Sequence, residues 1–186
     1  MTTQPTFFPM NDYYRTKGIQ KICHDIKQTE DKELRQKAVK VIGDYFIKLD
    51  ILDENSVLIP APQHTGKAEY TLDLCNYIAS KTRSTVWDNL ARIPDKTLYD
   101  KRKEDSEHIH TLAISLKDIE NKLPKGKYFF IDNVLTTGVT FMTTCSLLGV
   151  RIYPLVYAID MDAVREDALD KIYYLWTHFK KGGENH

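Results

Sequence analysis

The chain reads as an α/β protein, with a mostly parallel sheet and helices on both faces. Two observations carry that reading. Apolar runs such as "SVLIPAP" and "YFFIDNV" have the composition of strands buried on both sides. Segments with apolar residues at helical spacing separate them, and such alternation favours parallel pairing. At 186 residues the chain suits one domain, 1–186, with a core over about 55–160 and arm or hood segments at 1–30 and 161–186.

The elements follow in order. Residues 1–20 are rich in aromatics and prolines without a clear period, as in an arm or a small cap. From Thr29, Leu34, Ala38, Val41, Ile42, Tyr45, Phe46 and Leu49 recur at helical spacing, with Glu30, Asp31 and Glu33 near the positive helix end. "SVLIPAP" is a strand stopped by prolines. "QHTGKA" then leads into a helix with inner face Ala68, Leu72, Cys75, Ile78 and Ala79. "STVWDNLAR" reads as a second strand, followed by a charged stretch from Ile93 to His110 that is too long for a simple connection. "KLPKGK" is a turn and "YFFIDNV" a third strand. "TTGVTFMTTCSLLG" is a loop and helix closed by Gly149, and "RIYPLVYAID" a fourth strand in which Pro154 signals an edge or bulge. Residues 161–186 are ambiguous, with helical spacing at Val164, Ala168, Ile172 and Trp176 but strand composition in "KIYYLW".

Composition excludes several classes of function. The 26 basic and 26 acidic side chains balance, so no global charge draws nucleic acid or an anionic membrane. No apolar run approaches bilayer-spanning length and no signal peptide is evident, which makes the cytoplasm the expected location. Cys23, Cys75 and Cys145 lack metal-type spacing and read as buried thiols; His108 and His110 read as surface residues.

Three loops leave the carboxyl ends of strands, where ligands of such sheets sit. In Thr136, Thr137, Gly138, Val139 and Thr140, hydroxyls surround a glycine at a helix start, an anion nest suited to a phosphate monoester. A capping Thr alone would explain less of this pattern. Asp132 ends the preceding strand, where it can accept from sugar hydroxyls or help to hold magnesium. Gln63, His64, Thr65, Gly66 and Lys67 offer a second anion cradle without the spacing of a Walker A loop. Lys96, Lys101, Arg102 and Lys103 lie in the charged stretch and could close over a polyphosphate, although Glu104, Asp105 and Glu107 offset them.

"FFIDNVLTTGVT" resembles the 5-phosphoribosyl-1-diphosphate (PRPP) loop of type I phosphoribosyltransferases, and over residues 55–160 the order of strands and loops is similar too. The resemblance implies their three-layer, Rossmann-like fold. It further implies that Thr136–Thr140 cradle the ribose 5-phosphate and that Asp132 and Asn133 face the ribose hydroxyls. Residues 63–67 would meet the pyrophosphate with magnesium, and Lys101 or Arg102 would act from a closing lid. Transfer to a nitrogenous base with loss of pyrophosphate, and a homodimer, are implied as well. Two departures matter. Asn133 stands where a second acid is usual, which keeps open a PRPP- or nucleotide-sensing regulator that does not turn over. Thr136 stands where enzymes for 6-oxopurines carry an acid, which disfavours those bases and brings the loop nearer the orotate and competence-protein-F-like branches. A base-binding hood could come from Phe7, Phe8, Tyr13 and Tyr14, or from the C-terminal segment with Trp176.

Overall fold

A computed structural model describes residues 10–28, 31–63, 65, 69–93 and 113–179. Its elements are β1 (Asn11–Asp12), α1 (Ile19–Gln28), α2 (Lys32–Lys48), β2 (Ser56–Pro60), α3 (Glu69–Thr82), β3 (Thr85–Val86), β4 (Leu90–Arg92), β5 (Ile114–Leu116), β6 (Lys127–Leu135), α4 (Val139–Leu148), β7 (Ile152–Ile159) and α5 (Glu166–Thr177). Five strands form a fully parallel sheet in the order β1-β7-β6-β2-β3, while β4 and β5 pair antiparallel beside it. The arrangement is compatible with a Rossmann-like fold.

Both faces of the sheet are covered, as the apolar runs require. Every residue of β2 and of β7 is buried. Phe130 is the register partner of Pro154, so the two share a face, and there the ring of Phe141 from α4 lies 5.6 Å from Phe130. Tyr157 is an odd number of residues from Pro154 and points the other way, where Tyr45 of α2 meets it edge-on at 5.2 Å. Helices α1, α2 and α3 pack on one another in turn. Asp31 caps α2 by accepting from the N–H groups of Glu33 and Leu34.

Strand order fixes where a ligand would go. From β2 the chain runs through α3 to β3 on one side, then returns to form β6 on the other side of β2. The order therefore reverses between β2 and β6, and their carboxyl ends diverge into a crevice.

Several elements differ from the sequence reading. "STVWDNLAR" is two strands in two sheets, because Asn89 is buried between them and needs polar partners. Its Nδ2 donates to the carbonyls of Asp118 (2.8 Å) and Asn121 (3.0 Å), and its Oδ1 accepts from Asp118 N–H (2.9 Å). In α3 the buried face is Tyr70, Thr71, Leu74, Cys75 and Ile78, while Leu72 is only half-buried. In α2, Val41 is exposed, and Gly43 is buried where any side chain would run into the Tyr77 ring. Residues 1–20, expected as an arm or a small cap, contain β1 and the start of α1.

The C-terminal ambiguity resolves as helix α5, which buries Ala168, Ile172, Leu175 and Trp176. Trp176 Nε1 donates to the Pro154 carbonyl at 3.2 Å. Its indole belongs to the core, which removes it as a hood residue. Pro154 sits on an inner strand, and among the described residues β1 pairs with β7 at Ala158 and Ile159, away from Pro154. Among the described residues, no helix is long and apolar enough to cross a membrane.

Candidate functional site

A cavity of about 380 Å³ opens at the crevice between β2 and β6. Its floor comes from the carboxyl ends of the strands: Ala61, Pro62 and Gln63 after β2, Asp132–Leu135 of β6, and Asp160 after β7. Thr136–Thr140 form one wall, and Tyr13, Tyr14, Cys23, His24 and Lys27 approach from β1 and α1.

The Thr-Gly wall is held from behind. Gly138 has φ +80°, and a Cβ there would lie 2.5 Å from Ala168 Cβ, so glycine is required both by the backbone conformation and by the close approach of α5. The Thr137 carbonyl accepts from Arg165 N–H at 3.2 Å, which ties the turn to the start of α5. The N-cap of α4, Gly138, has no side chain to cap with, and the Thr137 hydroxyl accepts from the Val139 N–H at 3.4 Å. Val139, Thr140 and Phe141 of the first turn line the cavity at the positive end of the helix dipole, an arrangement that favours an anion. Thr136 and Thr140 are half-buried in this wall and Thr137 is buried.

Asp132 is half-buried at the lip. Desolvation pushes its carboxyl up to about 6, against lowering by the Asn133 N–H, by the charge of Lys27 and by the Tyr70 hydroxyl. Near neutral pH it is mostly ionised. Its Oδ1 accepts from Asn133 N–H at 2.8 Å. Asp160, only 5% exposed, directly follows β7, whereas Asp132, expected to end its strand, lies within β6, which runs on to Leu135; Asp160 adds a second carboxylate to the floor.

Asn133 does not behave as the sequence suggested. Its side chain is buried and committed to the protein. Oδ1 accepts from the Tyr70 hydroxyl (3.0 Å) and from Val134 N–H (2.8 Å), while Nδ2 donates to the Cys23 carbonyl (3.1 Å). It joins β6 to α3 and α1 instead of presenting its amide to a sugar.

Gln63 has a different relation to the cavity. It is 9% exposed, and among the described residues its buried Nε2 has no hydrogen-bond partner. An unsatisfied buried donor on a cavity floor is costly, and an anionic or carbonyl oxygen in the cavity would satisfy it. Thr65 is exposed. His64, Gly66, Lys67, Lys101 and Arg102 lie outside the described residues, as do Phe7 and Phe8. Of the aromatic arm, Tyr13 and Tyr14 do line the cavity.

The structure adds Tyr70, Arg92, Asp160 and the α1 trio of Cys23, His24 and Lys27 to the residues read from sequence. Asp160 had a visible signal, an acid closing the apolar run "RIYPLVYAID". Arg92, buried at the end of β4, had a weaker one, a cation closing "NLAR". Tyr70 and the α1 residues had none, because which helix face overhangs a cavity depends on tertiary packing. Burial pushes the Cys23 thiol up to about 12, so it is not a nucleophile here. Among the described residues no three His, Cys, Asp or Glu side chains gather as a metal site. No protein-family model matches the chain, and no curated protein is significantly similar to it.

Proposed function

We propose that the chain is a phosphoribosyltransferase of the type I class, which binds PRPP with magnesium and transfers the phosphoribosyl group to a nitrogenous base, releasing pyrophosphate. One observation carries this reading: the N-terminus of α4, wrapped by Thr136–Thr140, lines the same cavity as the β6 carboxylate Asp132. A phosphate at the helix end and sugar hydroxyls at Asp132 match a phosphorylated ribose in size and polarity. The nearby Gln63 amide supplies a donor for the diphosphate.

The residues present fit magnesium as a substrate-borne ion. Such an ion takes one or two carboxylates plus phosphate oxygens, and Asp132 and Asp160 line the same cavity. When bound, it would neutralise the leaving diphosphate. The chain's own part is to fix the 5-phosphate on the α4 nest, orient the ribose through Asp132 and shield the oxocarbenium-like centre from water. The bulk of this work is positioning, so the loss of either anchor should lower turnover strongly.

A second reading is a regulator of the same fold that binds PRPP or a nucleotide without chemistry. The burial of Asn133 favours it, since Asp132 would then face the sugar without help from the side chain at position 133. Calorimetric titration of PRPP with magnesium, together with pyrophosphate release across a panel of free bases, decides between the two. Binding with turnover on one base supports the enzyme. Binding without turnover on any base transfers the reading to the regulator. No binding, with wild-type protein and Asp132→Ala alike, refutes both.

A further inference from the structure

The hydrogen bonds under Asp132 share out donors and acceptors in a way that gives position 133 a specific job. Tyr70 is buried and carries one hydroxyl proton, with two acceptors in reach: Asn133 Oδ1 at 3.0 Å and Asp132 Oδ1 at 3.4 Å. Asn133 Oδ1 has two acceptor sites, of which Val134 N–H at 2.8 Å takes one and the tyrosine the other. Its Nδ2 faces the Cys23 carbonyl at 3.1 Å, and the Cys23 thiol lies 3.9 Å from the Asn133 carbonyl. Residue 133 thus meets α1 twice and α3 once, directly beside the residue that would face the sugar. An acid at this position would set a carboxylate oxygen against the carbonyl oxygen of Cys23, so only an amide satisfies both sides.

We propose that Tyr70 and Asn133 are positioning residues. The Tyr70 hydroxyl, whose single proton is shared between Asn133 Oδ1 and Asp132 Oδ1, orients the Asp132 carboxylate at the cavity, and the Asn133 amide pins α1 over it. This rests on the reading of the cavity as a PRPP site. It accounts for the amide in "IDNV" by the donor that Cys23 needs, with no demand from the ligand.

The test separates ribose recognition from phosphate recognition. PRPP with magnesium is titrated into wild-type protein, Tyr70→Phe and Asn133→Asp, and inorganic phosphate is titrated separately as a ligand for the α4 nest alone. Positioning of Asp132 predicts that both variants lose PRPP affinity by about tenfold or more, the scale of one hydrogen bond to a charged group, with phosphate affinity unchanged. A merely structural role would weaken both ligands equally, and that result overturns the proposal. Asn133→Asp binding PRPP as well as or better than wild type also overturns it, because residue 133 would then touch the sugar. Should Asn133→Asp fail to fold, Tyr70→Phe decides alone, since it removes a single oxygen. No PRPP binding by the wild type refutes the proposed function and this inference with it, an outcome distinct from the other two.

Discussion

Replacing Gly138 by alanine asks the turn for two things it cannot give. The first is backbone conformation: φ is +80°, and a left-handed residue with a Cβ costs about 1–2 kcal/mol. The second is space. The new methyl would lie 2.5 Å from Ala168 Cβ, a short side chain that cannot swing away, and overpacking of this kind costs about 1–3 kcal/mol. Together they predict a loss of roughly 2–5 kcal/mol. For a chain of this size each kcal/mol lowers Tm by roughly 2–4 °C, so a fall of roughly 4–20 °C is expected. Differential scanning calorimetry measures it. The double variant Gly138→Ala with Ala168→Gly removes the collision and keeps the strained φ. After allowing about 1 kcal/mol for glycine in α5, it should regain part of the loss through a coupling of about 1 kcal/mol or more. The same substitution should weaken phosphate binding, because the N–H groups of the α4 turn shift with it. A Tm within a degree or two of wild type would refute the geometry of the turn, and additive losses in the double variant would refute the Ala168 contact.

Other consequences are as direct. Asp132 holds its proton up to about 6 in the folded state, above the ordinary carboxylate value, so its unfavourable effect on stability is absent at pH 4 and grows as pH rises through 6. Asp132→Asn should therefore raise Tm at pH 7.5, by at most about 3 kcal/mol of stability, and not at pH 4, while abolishing PRPP binding; an equal offset at both pH values would refute it. Burial holds the thiols of Cys23 and Cys145 up to about 12 and about 11 and raises that of Cys75. Thiol reagents at pH 8 should accordingly label the native protein only at its unfolding rate, and rapid labelling would contradict the packing. Trp176→Phe removes the indole donor to the Pro154 carbonyl, so a loss of about 1–2 kcal/mol, or roughly 2–8 °C, is expected by thermal melt. PRPP affinity should stay unchanged, whereas weakened binding would restore the C-terminal hood.

The central strands were legible because their signal is local. "SVLIP" and "YFFID" are continuous apolar runs, and a strand buried on both faces leaves that mark in any context. The helix after Gly138 was legible for a similar reason, with glycines in left-handed conformation at both of its ends. What the pattern missed depended on partners distant in sequence. β1 has two residues, and its pairing with β7 is what makes it a strand. The split at Asn89 exists because backbone groups about 30 residues later, at Asp118 and Asn121, come to meet one buried amide. The helical phase of α3 slipped at Leu72 because Tyr70, polar at its tip, turns inward to find Asp132 and Asn133.

That last slip bears on function. A pattern rule treats a tyrosine as a half-buried amphipath and an asparagine after a strand acid as a weakened acid. In three dimensions the two residues satisfy each other, and the same contact connects the β6 carboxylate to both helices near the cavity. The departure at position 133 therefore does not by itself mark a decayed site. An amide there carries one negative charge fewer than an acid would, but it supplies a donor to α1 that no carboxylate could supply, and Asp132 is the acid that faces the cavity. An enzyme built this way would rely on Asp132 and its orientation more heavily than one with paired acids. Tyr70→Phe should then reduce turnover at saturating PRPP as well as affinity. A regulator built this way would show only the affinity loss, because it has no transition state for a misplaced carboxylate to miss.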